Sequence, residues 1–397
     1  MAAVPQAPLV AIACGGTGGH LFPGLAVAES LTARGCDVLL LVSSKEVDQQ
    51  AVKSAVGMSV ATLQAVACER GRWVAFFHGL LDSYRQARAL FRPRPPAAVL
   101  AMGGFTSVAP VLAGRHFRAA RFLHEANAVP GRANRWLAHV VDKAFVYFPE
   151  AAGRLWHPNV RITGMPVRPQ FQPLDAESCR AALGLHPHRP VLLVTGGSQG
   201  ARGINQAVLA ALPALVAAEP MLQYIHLTGP RDADQVRAAY AAAGCRALVQ
   251  PFLTEMELAF GAATLAVSRA GASSLAEQAA VRVPAILIPF PAAADNHQLH
   301  NARAFVATGA ARLLTEAEAA PPKLLWEIRH LLNDEPFRQA LRVALRRWYA
   351  RDAADAVAEF ILRALPPLPA QTTTPRSDRK PVIAPTGVKA AAKIIPP

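Results

Sequence analysis

The chain is 397 residues long, 52% hydrophobic and 17% charged, with a formal charge of +14. That apolar content excludes a disordered chain, and the length suggests two or three domains, each able to bury its own core. Five cysteines (Cys14, Cys36, Cys68, Cys179, Cys245) are odd in number, widely spread and lack a CxxC pair, which excludes a disulfide framework and a structural zinc site.

No apolar run reaches the roughly 18 residues of a spanning helix, and MAAVPQAPLV lacks the basic start of a signal peptide. A soluble, cytosolic α/β protein is expected. In chain order, β-rich runs alternate with helical patterns, as a parallel sheet requires. LVAIACG (9–15) predicts a strand, then comes a helix through Ala33 and a strand over DVLLLVS (37–43). Further strands fall on AAVLAMG (97–103), ARFLHE (120–125) and KAFVYF (143–148). RITGMPVRP (161–169) is turn-rich and closes this regime. The pattern restarts with RPVLLVTGG (189–197), a helix from about Ile204, LQYIHLTG (222–229), a helix and RALVQPF (246–252). TLAVSRAG (264–271) and PAILIPFP (284–291) each lead into a helix.

The repeated grammar predicts two Rossmann-like, doubly wound parallel-sheet domains, 1–168 and 169–348, with a ligand cleft between them. A final helix over 349–365 and a Pro-rich basic tail over 366–397, expected to be disordered, complete the chain. Charge is uneven: net +9 over 1–168, +1 over 169–365 and +4 over the tail. Such a field attracts nucleic acid, anionic membrane or phosphorylated substrates. Nucleic acid is disfavoured, because no helix-turn-helix, zinc-finger or RRM signature is present.

Glycine loops follow the strands. Gly15-Gly16-Thr17-Gly18-Gly19-His20 opens the first helix, where glycines admit a close ligand and a helix N-terminus offers free N–H groups to an anion. Leu21 stands where a dinucleotide fingerprint needs its third glycine, and no acidic residue ends the second strand, so a nicotinamide enzyme is disfavoured. No Gly-Lys-Ser/Thr follows, which excludes a P-loop. Gly196–Gly200 repeats the geometry, and Gly103-Gly104-Phe105-Thr106-Ser107 is a third such loop. Ser268–Glu277 again joins a strand to a helix; Glu277 can bond two sugar hydroxyls or serve as a capping carboxylate. Asp295-Asn296-His297-Gln298 lies beyond the next strand, where a hexose would sit.

GGTGGHLFPGLAVAESL, AMGGFTS, LHEAN, TGMPVR, GGSQGARGIN, SRAGASSLAE and DNHQLHNA together resemble the MurG family of bacterial peptidoglycan synthesis. The ordered match runs from about Ile12 to Ala311, departing at Phe105, Ala126 and Met165. The resemblance implies a GT-B fold with acceptor on the first domain and UDP-GlcNAc mainly on the second. It implies donor contacts at Thr17, Gly18, Gly19, Asn127, Arg168, Ser198, Leu253, Ala272, Ser273, Ser274, Leu275, Ala276, Glu277 and Gln298. Acceptor contacts are implied at Gly104, Phe105, Thr106 and Asn134. The implied reaction is inverting: the 4-hydroxyl of undecaprenyl-diphospho-muramoylpentapeptide displaces UDP from UDP-GlcNAc. Other GT-B enzymes, a glycolipid glycosyltransferase or a UDP-GlcNAc 2-epimerase, are the rival readings.

Such a displacement needs a base and a stabilised leaving diphosphate. His20, with an ordinary imidazole pKa near 6.5, is the first candidate base and Glu125 the second. Either could instead play another part, His20 orienting its loop or binding acceptor phosphate and Glu125 bonding loop amides. No cofactor or metal is expected, since the only DxD-like string, Asp232-Ala233-Asp234, reads as helix-start acids. Trp73, Phe76, Phe77, Leu80, Leu81 and Tyr84 share one helical face, flanked by Arg70, Arg72, Arg85, Arg88, Arg92 and Arg94. The stripe reads partly as core and partly as a patch on anionic inner-leaflet lipid, through Arg72, Trp73, Phe76, Phe77 and Arg88. A peripheral position on the cytoplasmic face of the bacterial inner membrane is therefore expected.

Overall fold

The computed structural model describes residues 6–16, 18–44, 58–64, 73–197, 199–365 and 394–395, with only the backbone of Trp73–Ala75 and Ile394–Ile395. The expected roles of Thr17, Ser198, Arg72 and the Trp73 side chain, and tail residues 366–393, 396 and 397, lie outside it.

Two sheets carry the molecule. The first contains β1 (Leu9–Ala13), β2 (Asp37–Ser43), β3 (Ser59–Leu63), β4 (Ala98–Ala101), β5 (Ala120–Glu125), β6 (Lys143–Val146) and β7 (Val160–Ile162). All pair in parallel, in the order β3-β2-β1-β4-β5-β6-β7. The second contains β8 (Val191–Thr195), β9 (Gln223–Leu227), β10 (Ala247–Gln250), β11 (Leu265–Ser268), β12 (Ala285–Leu287) and β13 (Arg312–Leu313). Its order, β13-β12-β11-β8-β9-β10, repeats the same winding. β14 (Ile394–Ile395) adds an antiparallel edge to β10, pairing with Ala247 and Leu248. Two tail residues thus form a strand where a wholly disordered tail was expected; the open N–H and C=O groups of an edge strand favour such pairing.

Near-continuous apolar strands need cover on both faces. In β1, Val10 and Ile12 face the first helix, Gly18–Ala33, and the last helix, Ala353–Leu362. Ala11 and Ala13 face the helices Trp73–Phe91 and Val108–His116, as the two-residue strand period dictates. The last helix follows the second domain yet buries Val357 and Ile361 in the first domain's core, each contributing about 1.5–3 kcal/mol. Ser30 donates to Asp355 at 2.7 Å and Arg34 pairs with the same carboxylate at 2.9 Å, fixing its rotation.

β3, β7 and β13 have no counterpart in the sequence reading, and RITGMPVRP, read as turn, begins inside β7. β3 and β7 occupy sheet edges and are three to five residues long, too short for a clear period. The chain crosses back between domains at 346–352. There Trp348 stacks on Phe305 at 4.3 Å, donates Nε1 to Thr308 at 2.7 Å, and accepts a bond from Tyr147 Oη at 3.1 Å. Cys14, Cys36, Cys179 and Cys245 are all buried.

Candidate active site

In both sheets the strand order reverses between the first and fourth strands, β1/β4 and β8/β11. The glycine loops fall at these two switch points, where open α/β sheets bind ligands. Between them lies a cavity of about 300 Å³. Gly18, Gly19 and Phe22 line it from the first domain, and Arg168 from the linker. Leu253, Gly271, Ala272, Ser273, Ser274, Glu277 and Gln298 line it from the second.

At the first switch point, Gly15 leaves no room for a side chain: a Cβ there would stand 2.3 Å from the Ser43 amide nitrogen. Thr106 Oγ1 donates to the Gly15 carbonyl at 2.6 Å, tying the two loops together, while Ser107 Oγ bonds the Gly103 carbonyl of its own loop at 2.7 Å and the Ala13 carbonyl of β1 at 3.1 Å. Gly103, at φ +117°, lies against the imidazole of His20; an added Cβ would come within 2.7 Å of its Cε1. His20 is half-buried in the first turn of its helix, held at the junction of both loops. Phe105 packs edge-on against Phe76 at 5.4 Å, joining the loop to the arginine-rimmed helix.

Glu125 is occupied. Its Oε1 accepts from Asn127 N at 2.8 Å and Asn127 Nδ2 at 3.3 Å. Its Oε2 accepts from Gly131 N at 3.0 Å and Asn134 Nδ2 at 2.8 Å. Burial raises the carboxyl's pKa and these four bonds oppose the shift. At 2% exposure, with both oxygens engaged from within its own loop, it ties down residues 127–134. Asn134, expected against the acceptor, is buried beneath this network and also bonds the His124 carbonyl at 3.2 Å. His124 bonds the Gly164 carbonyl at 2.9 Å, and burial pushes its imidazole down to about 4.

At the second switch point, the helix Ala272–Val281 begins at Gly271 with no side-chain cap, leaving N–H groups for an anion. Glu277 stands one turn in. Desolvation pushes its carboxyl up to about 7, opposed by the Arg168 charge. Arg168 lies over the rings of Phe22 at 4.5 Å and Phe171 at 5.1 Å, with its buried Nε unpaired within the protein. A guanidinium so held can meet a phosphate oxygen.

Leu275 and Ala276 turn into the apolar core, so of the expected 272–277 contacts they can offer backbone alone. Asn127 lies in the Glu125 network, away from the cavity lining. Arg269 was missed by the sequence reading: it is buried, pairs with Glu316 at 2.5 Å and bonds the carbonyls of Ile288 and Pro289 at 3.1 Å. Its only sequence signal is one charge among small residues at a strand end. Asp232 accepts from Asn205 Nδ2 at 2.7 Å and Asp234 pairs with Arg237 at 2.6 Å, so both serve their own domain.

Two equally wound Rossmann domains, with glycine loops at both switch points of a shared cleft, define a protein of the GT-B fold with a site suited to a sugar nucleotide. Residues 10–146 match the glycosyltransferase family 28 N-terminal domain and 191–357 the family 28 C-terminal domain. The chain belongs to the MurG family within glycosyltransferase family 28. It is 37% identical over 361 residues to a protein of Anaeromyxobacter sp. (strain Fw109-5), with 89% of this chain and 93% of that one covered. It is 38% identical over 357 residues to one of Xylella fastidiosa (strain M12), covering 89% and 95%. Both carry the name UDP-N-acetylglucosamine--N-acetylmuramyl-(pentapeptide) pyrophosphoryl-undecaprenol N-acetylglucosamine transferase. The crystal structure of Acinetobacter baumannii MurG superposes with a TM-score of 0.70 at 26% identity, covering 90% of this chain and all of that one. A UDP-N-acetylglucosamine 2-epimerase superposes at 0.67 with 13% identity and 90% and 96% coverage, a likeness of fold alone.

Proposed function

We propose that the protein transfers GlcNAc from UDP-GlcNAc to the 4-hydroxyl of undecaprenyl-diphospho-muramoylpentapeptide, with inversion, giving the lipid-linked disaccharide of peptidoglycan synthesis. The reading rests first on one observation: a nucleotide-sized cavity in which an uncapped helix start, Arg168 and Glu277 converge, opposite a loop pair that holds a histidine. The diphosphate lies at the start of helix Ala272–Val281, where N–H groups and Arg168 offset the charge that develops as UDP departs. Glu277 accepts hydroxyl protons from the ribose, Leu253 presents backbone to the uracil, and Gln298 faces the sugar. His20 accepts the proton of the attacking hydroxyl; Glu125, with both oxygens engaged, leaves it that task. Gly104, Phe105 and Thr106 border the acceptor.

Among the described residues, no helix is long and apolar enough to cross a membrane. The lipid acceptor is met instead by a surface helix on the cytoplasmic face of the inner membrane. On Trp73–Phe91, Phe77 is 62% and Leu81 44% exposed, bordering a groove with Leu80, Tyr84 and Leu112. Arg85, Arg88 and Arg92 are exposed around it, a basic rim suited to anionic headgroups. The test is UDP release from UDP-GlcNAc with and without a soluble analogue of the lipid-linked acceptor. Transfer predicts release that depends on the acceptor and a β-linked product. Acceptor-independent release with a free 2-epimerised sugar contradicts it and marks an epimerase.

A further inference from the structure

Asn301 is fully buried on the second domain's helix His297–Ala307, yet its amide reaches into the first domain. Its Oδ1 accepts from the Ala128 amide at 2.9 Å. Its Nδ2 donates to Asn127 Oδ1 at 3.0 Å and to the Ala270 carbonyl at 3.1 Å. Asn127 is held in turn by Glu125, and Glu125 by Asn134 and Gly131. One hydrogen-bonded line thus runs from the loop after β5, through Asn301, to the residue preceding Gly271 at the start of the donor helix. Nearer the rim, Asp295 pairs with Arg135 at 2.9 Å and Arg132 at 3.8 Å across the same domain boundary. Asp295 and Asn296 both hold left-handed backbone, at φ 50° and 52°, a conformation that costs non-glycine residues energy and is held here by its surroundings.

We infer that Asn301 is a positioning residue: it sets the spacing between the donor half-site and the acceptor half-site, and so governs the transfer step without touching either substrate. The inference rests on the transferase reading. Chemistry selects asparagine here. Aspartate keeps the acceptor for Ala128 but turns an oxygen on Asn127 Oδ1 and Ala270 O, and buries a charge. Alanine removes the partner of the buried Ala128 N–H and Ala270 carbonyl and of the half-buried Asn127 Oδ1.

Asn301→Ala and Asn301→Asp in the full chain test it, with Asn301→Ser as a milder variant that keeps one donor and one acceptor on a shorter arm. kcat on a soluble acceptor analogue should fall about 10²-fold in the Ala and Asp variants, the loss that accompanies a misplacement near 1 Å, and less in Ser. UDP affinity should fall far less than kcat, by no more than the factor by which UDP slows exchange at Ala128, since the two effects are linked reciprocally. Unchanged kcat, or UDP affinity falling in step with it, overturns the inference. Hydrogen exchange separates this from failure of the transferase reading, because it needs no turnover. UDP should slow exchange at Ala128 in the wild type and not in Asn301→Ala, even if the wild type transfers nothing; equal slowing in both contradicts the bridge.

Discussion

The two domains wind their strands in the same order and place glycine loops at the same switch points, yet furnish those points differently. The second rests on a buried Arg269 paired with half-buried Glu316 and presents an uncapped helix start beside a carboxyl pushed up to about 7 by desolvation. Such a floor suits a charged nucleotide of fixed shape. The first is made of two loops joined by Thr106 around His20, beside an exposed apolar helix. It suits a reacting hydroxyl delivered from a lipid surface. Charge follows the same division, net +9 over 1–168 against +1 over 169–365. On the proposed reading one fold supplies a binding half and a reacting half, and the distinction lies in loop side chains, not in topology.

Variants at the two switch points should fail in different ways. His20→Ala should lower kcat by about 10²–10⁴-fold, the usual contribution of a positioned base, while UDP still raises the melting temperature. Lost UDP protection would move His20 to the binding half. Glu316→Gln should lower unfolding stability by about 1–3 kcal/mol in urea titration, because buried Arg269 loses its counter-charge while solvent reaches the half-buried partner. An unchanged urea midpoint would remove the pair from the floor of the donor site.

Glu277→Gln should weaken UDP-GlcNAc binding by about 10–100-fold in calorimetry, the range for a hydrogen bond to a charged group. In the wild type that group is ionised above about pH 7 and protonated below it. Ribose hydroxyls donate to the ionised form, so affinity should fall as pH drops through 7, by up to about tenfold per unit. The Gln variant should flatten that profile. The smallest effect belongs to the rim: Arg88→Glu with Arg92→Glu should keep turnover on a soluble acceptor. Binding to anionic vesicles should drop by about fivefold or more per charge, and high salt should weaken the wild type likewise.

Central strands and the glycine loops were legible because buried parallel strands are continuous apolar runs and glycines punctuate them; β5 falls on the residues the pattern gave. Edge strands β3 and β7 were not, since a few half-buried residues carry no period. His20, Glu277 and Gln298 could be found as polar residues at strand-to-helix turns. The engagement of Glu125 could not, because it depends on amides at 127, 131 and 134 folding back over it. Arg269 with Glu316, 47 positions apart, and Asn301 with Asn127, 174 apart, are pairings that only the tertiary fold creates.

The division between a binding half and a reacting half is tested most directly by hydrogen exchange with each substrate in turn. UDP alone should slow exchange around Leu253 and across 271–278, with little change at 103–108. A soluble acceptor analogue, added next, should slow 103–108 and the first turn of the helix Gly18–Ala33. Protection by the acceptor that falls on the second domain, or by UDP mainly on the first, would contradict the account.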